Sequence, residues 1–240
     1  MRDFVILIRT YTSMKKVIII YGPPGAGKGT QANLLAAKLG FLHFDTGKYL
    51  ERFVHDPENQ KNLIVKKERV LFDAGKLCTP GWVLKIVRKK TAELARSNFG
   101  LAFSGSPRTV FEAFGDSKNQ GLIEIFEKYY GKKNIIPIAL KVAPETSLMR
   151  NGGRLVCFTC GTVVLSGNCV GKACPICASP LKRRTLDTPE IIKTRLKEYA
   201  ERTAPILAGL KKRGYRLNKI NGEPLPYAVF KNIIRKIKLS

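Results

Sequence analysis

Acidic side chains are in short supply: 18 Asp and Glu stand against 43 Lys and Arg, a formal net charge of +25 over 240 residues. Such a surplus raises the local concentration of any polyanion, nucleotide and nucleic acid alike. The cations lack a single basic block, coming instead as scattered groups such as Lys66-Lys67, Lys89-Lys90, Lys132-Lys133 and Lys211-Lys212-Arg213. Aromatic residues are not interleaved among them to stack on bases, so the pattern reads as a solvated basic surface, with nucleic-acid binding as the lesser reading. No apolar run approaches the roughly 20 residues of a helical membrane span. Met1 to Ser13 has neither the apolar centre nor the small-residue cleavage site of a signal peptide, and a cytoplasmic protein is expected. Repeats and low-complexity stretches are missing too. Met14-Lys15-Lys16 looks like a start just before the first strand, which leaves residues 1–13 as an N-terminal extension without assigned function.

The chain does have a phosphate cradle. Tyr21-Gly-Pro-Pro-Gly-Ala-Gly-Lys-Gly-Thr30 follows the β-branched run Val17-Ile18-Ile19-Ile20, so a buried strand enters a glycine-rich turn carrying one lysine. Glycines let backbone N–H groups converge on phosphate oxygens, Lys28 adds a point charge, and the helical pattern Gln31 to Leu39 presents a positive N-terminus. The generic loop has Ser or Thr directly after the lysine. Here Gly29 intervenes and Thr30 comes second, a spacing similar to that of nucleoside monophosphate kinases.

Downstream, strands alternate with helical segments. Strands are expected at Phe41 to Phe44, Leu101 to Ser104 and Ile135 to Val142, with helices running through Phe72, near Trp82 to Arg96 and near Ile123 to Tyr130. That alternation means βαβ crossovers and a parallel sheet covered on both faces, in one large domain with small insertions. Pro137 inside the third of these strands requires a point where no N–H is paired. Thr188-Pro189-Glu190 carries the marks of a helix start: cap, first-turn proline and acid at the positive end.

Cysteines interrupt the pattern at Cys157-x2-Cys160 and Cys174-x2-Cys177, thirteen residues apart and set among small turn residues. Paired knuckles at this separation suit tetrahedral thiolate coordination of Zn²⁺, and a disulfide pair is the alternative. A module of about 35 residues can barely build a core, so the metal is expected to supply much of its folding energy. Cys78 and Cys169 fit neither knuckle and read as small residues without ligand duty.

Further motifs fall in order along residues 14 to about 234: Asp45-Thr46-Gly47, Asp73-Ala74-Gly75-Lys76-Leu77, Gly105-Ser106-Pro107-Arg108-Thr109, Gly153-Arg154, Arg184 with Asp187, and Arg195-Leu196-x2-Tyr199-x3-Thr203-x-Pro205. With the loop and the knuckles, the chain resembles the adenylate kinase family in its long, zinc-bearing form. The resemblance implies an α/β P-loop NTPase-type fold: a parallel sheet of about five strands with helices on both faces in a kinase core of residues 14–240, a small helical NMP-binding insert at 45–75, and a zinc-ribbon-like lid at 151–188. It implies reversible phosphoryl transfer from ATP to AMP by a monomer, with Mg²⁺ accompanying ATP and Zn²⁺ in the lid.

Mapped onto this sequence, the family's catalytic set falls on Lys28, Arg108, Arg154, Arg184 and Arg195. Gly25, Ala26, Gly27, Lys28, Gly29, Thr30, Arg150 and Arg154 would meet the donor phosphates, and Pro224 lies where backbone meets the donor adenine. Thr46, Lys76, Cys78, Gly105, Arg108, Glu112, Arg184 and Arg195 would hold the acceptor. The cations answer a physical need, since two anions must be held in line against repulsion while charge spreads over the transferring group. Departures from the family pattern are Ser104 and Lys48 in place of two aspartates, Glu51 in place of an arginine with Arg52 next to it, Ser106 in place of a phenylalanine, and Glu112 in place of the base-reading glutamine. A carboxylate only accepts hydrogen bonds. A kinase for CMP or UMP, or a non-catalytic nucleotide- or RNA-binding protein, therefore stands as an alternative to the AMP kinase.

Overall fold

The computed structural model describes residues 15–165 and 173–238; the expected N-terminal extension and Cys169 lie outside the described residues. The central strand β1 (Val17–Tyr21) is buried along its whole length, as its β-branched sequence requires. It leads through the glycine loop into α1 (Lys28–Leu39), then β2 (Leu42–Asp45). Two helices, α2 (Thr46–His55) and α3 (Leu63–Asp73), come before the long α4 (Pro80–Arg96) and β3 (Leu101–Ser104). Next are α5 (Val110–Phe114), α6 (Leu122–Tyr130), β4 (Ile135–Lys141) and α7 (Pro144–Gly152). A small unit of β5 (Arg154–Cys157), β6 (Val163–Leu165) and β7 (Leu181–Arg183) is inserted before α8 (Pro189–Glu198). One π-helical stretch, Tyr199–Thr203, joins α8 to α9 (Ala204–Lys212), and β8 (Asn218–Asn221) and α10 (Pro226–Ile237) complete the described chain.

The main sheet has the order β2-β3-β1-β4-β8, all pairs parallel, which is the five-stranded α/β core expected. Alternate residues of β1 enter two separate cores. Val17, Ile19 and Tyr21 pack with side chains of α4, α6 and α9, while Ile18 and Ile20 pack with those of α1 and α10. Burial on both faces is what forces an uninterrupted apolar strand here. The chain crosses from one side of β1 to the other between β3 and β4, so the carboxyl ends of these strands open a crevice where ligands bind in such sheets. Tyr21, Asp45 and Ser104 end their strands at that crevice, with Asp45 and Ser104 as register partners.

Boundaries shift by a few residues from the sequence pattern. The loop helix begins at Lys28 and not Gln31, because the cradle's last residues already make its first turn, and β2 runs one residue later than expected. Pro137 sits inside β4, yet its carbonyl accepts from Asn218 Nδ2 at 3.2 Å. That places the residue's backbone on the β8 side, one position before the first registered pair Ile138↔Asn218, where no ladder bond is needed. Thr188 caps α8 as read, its Oγ1 accepting from the Ile191 N–H at 3.4 Å, with Pro189 and Glu190 in the first turn.

Candidate active site

Glycine conformation shapes the loop after β1. Gly25 and Gly27 take φ of +76° and +85°, a region glycine enters without steric cost. A Cβ on Gly25 would lie 2.6 Å from Asn151 Nδ2 and 2.9 Å from the Ser147 carbonyl oxygen, so the seat of the loop on α7 leaves no room for a side chain. Ser147 holds that seat by donating its hydroxyl to the Pro24 carbonyl. Ala26 is buried beneath the turn, and Gly29 and Thr30 form the first turn of α1. Lys28 donates to the carbonyls of Gly22 and Pro23, 2.8 Å each, which folds its ammonium over the loop.

Arginines from separate elements close around this lysine. Arg108, in the loop after β3, is fixed by Nε donating to the Gly105 carbonyl at 2.6 Å. Arg154 opens β5 and makes a two-pronged contact with Asp187, Nε to Oδ2 at 2.9 Å and Nη2 to Oδ1 at 2.6 Å. Arg195 on α8 approaches the same carboxylate at 3.5 Å. Burial, then Arg108 and Arg195, push the Lys28 pKa well below its ordinary 10.5, with Asp45 pulling the other way. Arg195 falls to about 9, again through burial first and then Arg108, Arg154 and Arg184. A field this one-sided is satisfied by phosphate. Lys28, Gly105, Arg108 and Arg195 line one cleft, with Tyr21 and Tyr199 among its other lining residues.

The remaining arginines lie at its edges. Arg150 donates to the carbonyls of Gly222 and Glu223 at 2.9 and 2.7 Å, joining the end of α7 to the loop that carries half-buried Pro224. Arg184 reaches across to Glu51 on α2, Nη2 to Oε2 at 2.8 Å. The position where the family resemblance leads one to expect a cation therefore holds a carboxylate engaged by a cation from the other side. Arg52, next to it, is exposed and has no polar partner among the described residues.

On the acceptor side, Thr46 begins α2 fully buried, with Oγ1 lacking a partner among the described residues. Gly105 packs against this turn, where a Cβ would come within 3.1 Å of the Gly47 nitrogen. Glu112, Cys78 and Lys76 were also expected at the acceptor. Glu112 turns both oxygens toward the start of α5, accepting from the Arg108 N–H at 2.9 Å and from Thr109 Oγ1 at 3.1 Å. It lies in the first turn of α5, which Thr109 caps, and burial raises its pKa against those hydrogen bonds. Cys78 is buried on the Glu68 carbonyl at 3.6 Å, its thiol pushed up to about 12 by desolvation. Lys76 is exposed.

The four knuckle cysteines come together. Their sulfurs all lie within 4.8 Å of one another, with Cys157 to Cys177 at 3.5 Å and Cys160 to Cys174 at 3.6 Å. A tetrahedral Zn²⁺ with 2.3 Å bonds sets sulfurs about 3.8 Å apart, whereas a disulfide needs about 2 Å, so the set fits the metal. The Cys160 N–H points at Cys157 Sγ at 3.5 Å. Hydrogen bonding with Thr162 lowers the Cys160 thiol to about 6, toward the thiolate that binds metal. For Mg²⁺, a hard ion that takes oxygen ligands, the Thr30 hydroxyl and the Asp45 carboxylate offer suitable donors beside the cradle.

Two polar groups at the crevice had no role assigned in the sequence analysis. Asp187 stood there only as the motif companion of Arg184, and its clamp on Arg154 and Arg195 spans 33 residues in one case. Tyr21 ends β1 with a buried hydroxyl lacking a partner among the described residues; a polar tip on an otherwise aliphatic strand was the available signal.

A family model described as adenylate kinase matches residues 20–215. The adenylate kinase of Chlamydia pneumoniae is 34% identical over 221 residues, covering 92% of this chain and 97% of its own length. Its counterpart from Chlamydia muridarum (strain MoPn / Nigg) is 33% identical over 232 residues, covering 90% and 85%. An adenylate kinase of Clostridium botulinum (strain Langeland / NCTC 10281 / Type F) is 32% identical over 219 residues, covering 90% and 95%.

Proposed function

The chain belongs to the adenylate kinase family, a phosphotransferase family converting ATP and AMP into two ADP, and from that premise we propose how its own residues carry the reaction. The carrying observation is the convergence of Lys28, Arg108, Arg154 and Arg195 on one crevice, with Asp187 clamped to two of them.

The backbone N–H groups of Gly25 to Thr30 and Lys28 hold the β- and γ-phosphates of the donor. Arg150 and Pro224 place its base end along the Gly222 loop. Mg²⁺, brought with ATP, neutralises charge on those phosphates when bound. Thr46, Gly105 and Arg108 hold the acceptor phosphate, whose oxygen attacks the γ-phosphorus in line while the bond to the β-phosphate oxygen breaks. Arg154, Arg184 and Arg195 stabilise the charge spread over the group in transit, a task of positioning and electrostatics. The segments 45–75 and 151–188 close over the site, and closure keeps water from taking the phosphoryl group. The same reading takes the enzyme as a cytoplasmic monomer. No helix among the described residues is long and apolar enough to cross a membrane.

AMP is the acceptor that membership of the adenylate kinase family supports, and Glu112, the residue that put the base in question, accepts hydrogen bonds from the start of α5. The test is turnover of Mg²⁺ and ATP with AMP, CMP, UMP and GMP side by side, on zinc-replete protein freed of nucleic acid. AMP turned over well ahead of the others is the expected result. Preference for another base overturns the choice of acceptor, and no turnover with any of them overturns the reading.

A further inference from the structure

The carboxylates around the crevice are nearly all committed. Asp187 holds Arg154 and Arg195, Glu51 holds Arg184, Glu198 holds Arg202, and Glu112 accepts from the Arg108 N–H. Asp45 is different. Its Oδ1 accepts from the Lys48 N–H at 3.2 Å and caps α2, while Oδ2 makes no hydrogen bond or ion pair among the described residues. That oxygen faces the first turn of α1, since a Cβ placed on Gly29 would lie 3.8 Å from it, and its charge acts on Lys28.

A bare carboxylate oxygen at this point would repel the triphosphate that Lys28 and the arginines attract. The conflict disappears if a divalent cation stands between them. Carboxylate, hydroxyl and phosphate oxygens form the hard donor set that Mg²⁺ takes, and Mg²⁺ keeps several of its waters when bound to a protein. The next strand offers no competing anion. Ser104, register partner of Asp45, pairs its hydroxyl with His43 Nε2 at 2.8 Å, and His43 Nδ1 is tied to Asn33 Oδ1 at 2.6 Å.

We infer that Asp45, at the end of β2, is the residue that positions the Mg²⁺·ATP complex in this chain, its Oδ2 accepting a hydrogen bond from metal-bound water. The inference rests on the kinase reading, and it assigns the carboxylate that an ordered divalent site requires to the strand next to the one ending in Ser104.

Asp45→Asn tests it cleanly, because asparagine caps a helix as well as aspartate does and only the charge is removed. The probe is Mn²⁺ in place of Mg²⁺, titrated by electron paramagnetic resonance into protein saturated with a non-hydrolysable ATP analogue. Loss of an oriented outer-shell partner costs about 10- to 100-fold in metal affinity, so Mn²⁺ retention is expected to weaken at least about tenfold while metal-free analogue binds as tightly as before or tighter. In the double variant Asp45→Asn with Ser104→Asp, the carboxylate returns one strand over and Mn²⁺ retention is expected to recover. Mn²⁺ held by Asp45→Asn as by the unaltered protein overturns the inference. The Mn²⁺ readout needs no turnover, so its outcome is separate from that of the AMP assay: an unaltered protein that transfers nothing overturns the kinase reading alone.

Discussion

Lys28 is costly to the ligand-free molecule, and in the proposed reaction it holds the donor phosphates. Its folded-state pKa is depressed, so the native state binds fewer protons there than the unfolded chain, and the cost is fully present wherever the lysine is still charged in the fold. Lys28→Met, which keeps the stem and removes the charge, is expected to lower kcat by on the order of 10²- to 10³-fold. The same variant should melt about 2–4 °C higher without nucleotide, the shift that about 1 kcal/mol gives a chain of this size. Because the wild-type lysine sheds its proton as pH climbs through the depressed range toward 10.5, the difference in Tm narrows over that window. Differential scanning calorimetry at several pH values, with steady-state kinetics alongside, checks both halves; a Met variant that melts lower at neutral pH refutes the electrostatic half.

Contacts between elements decide which residues could be read in advance. The glycine loop, the knuckles and the Thr188 cap were legible because each is a local pattern whose backbone geometry follows from residues within a few positions. Thr109-x-x-Glu112 was equally local, a sequence signature of a helix start. The partnerships of Asp187 with Arg154 and of Arg184 with Glu51, 133 residues apart, were not legible, since no local rule pairs charges across a fold. That last contact ties α2 to the base of the inserted sheet, and its side chains are 32% and 21% exposed. If Arg184 serves the acceptor phosphate, Glu51 competes for the same guanidinium. Glu51→Gln is then expected to lower the KM for AMP a few-fold, in line with the roughly 0.2–1 kcal/mol of a part-exposed pair, with kcat little changed. Kinetics at saturating ATP decide it, and a raised KM would show that the bridge helps closure instead.

At the scale of the whole molecule, two units of unequal support share one chain. The five-stranded sheet is flanked by two apolar clusters, whereas the buried centre of the small antiparallel sheet gathers, among the described residues, Cys157, Cys174 and Leu181, with Leu155 and Val164 packed on them. Chelation is expected to release one zinc per chain and raise hydrogen exchange across 151–188 while leaving the amides of β1, β3 and β4 protected. Exchange mass spectrometry with and without chelator reads this directly, and exchange rising equally in both units would mean that the metal supports the entire fold. The strand order also dictates a timetable for synthesis. β1 leaves the ribosome before the β3 and β4 that it needs, and the outer flank of β4 waits for β8 at Asn218, so aliphatic edges stay open until β8 has emerged. The knuckle unit, by contrast, is contiguous from Arg154 to Arg183 and can capture zinc before the sheet that will carry it has closed. Newly made chains in that interval are the form most exposed to aggregation, and the zinc supply of the cell acts on them while they are still nascent.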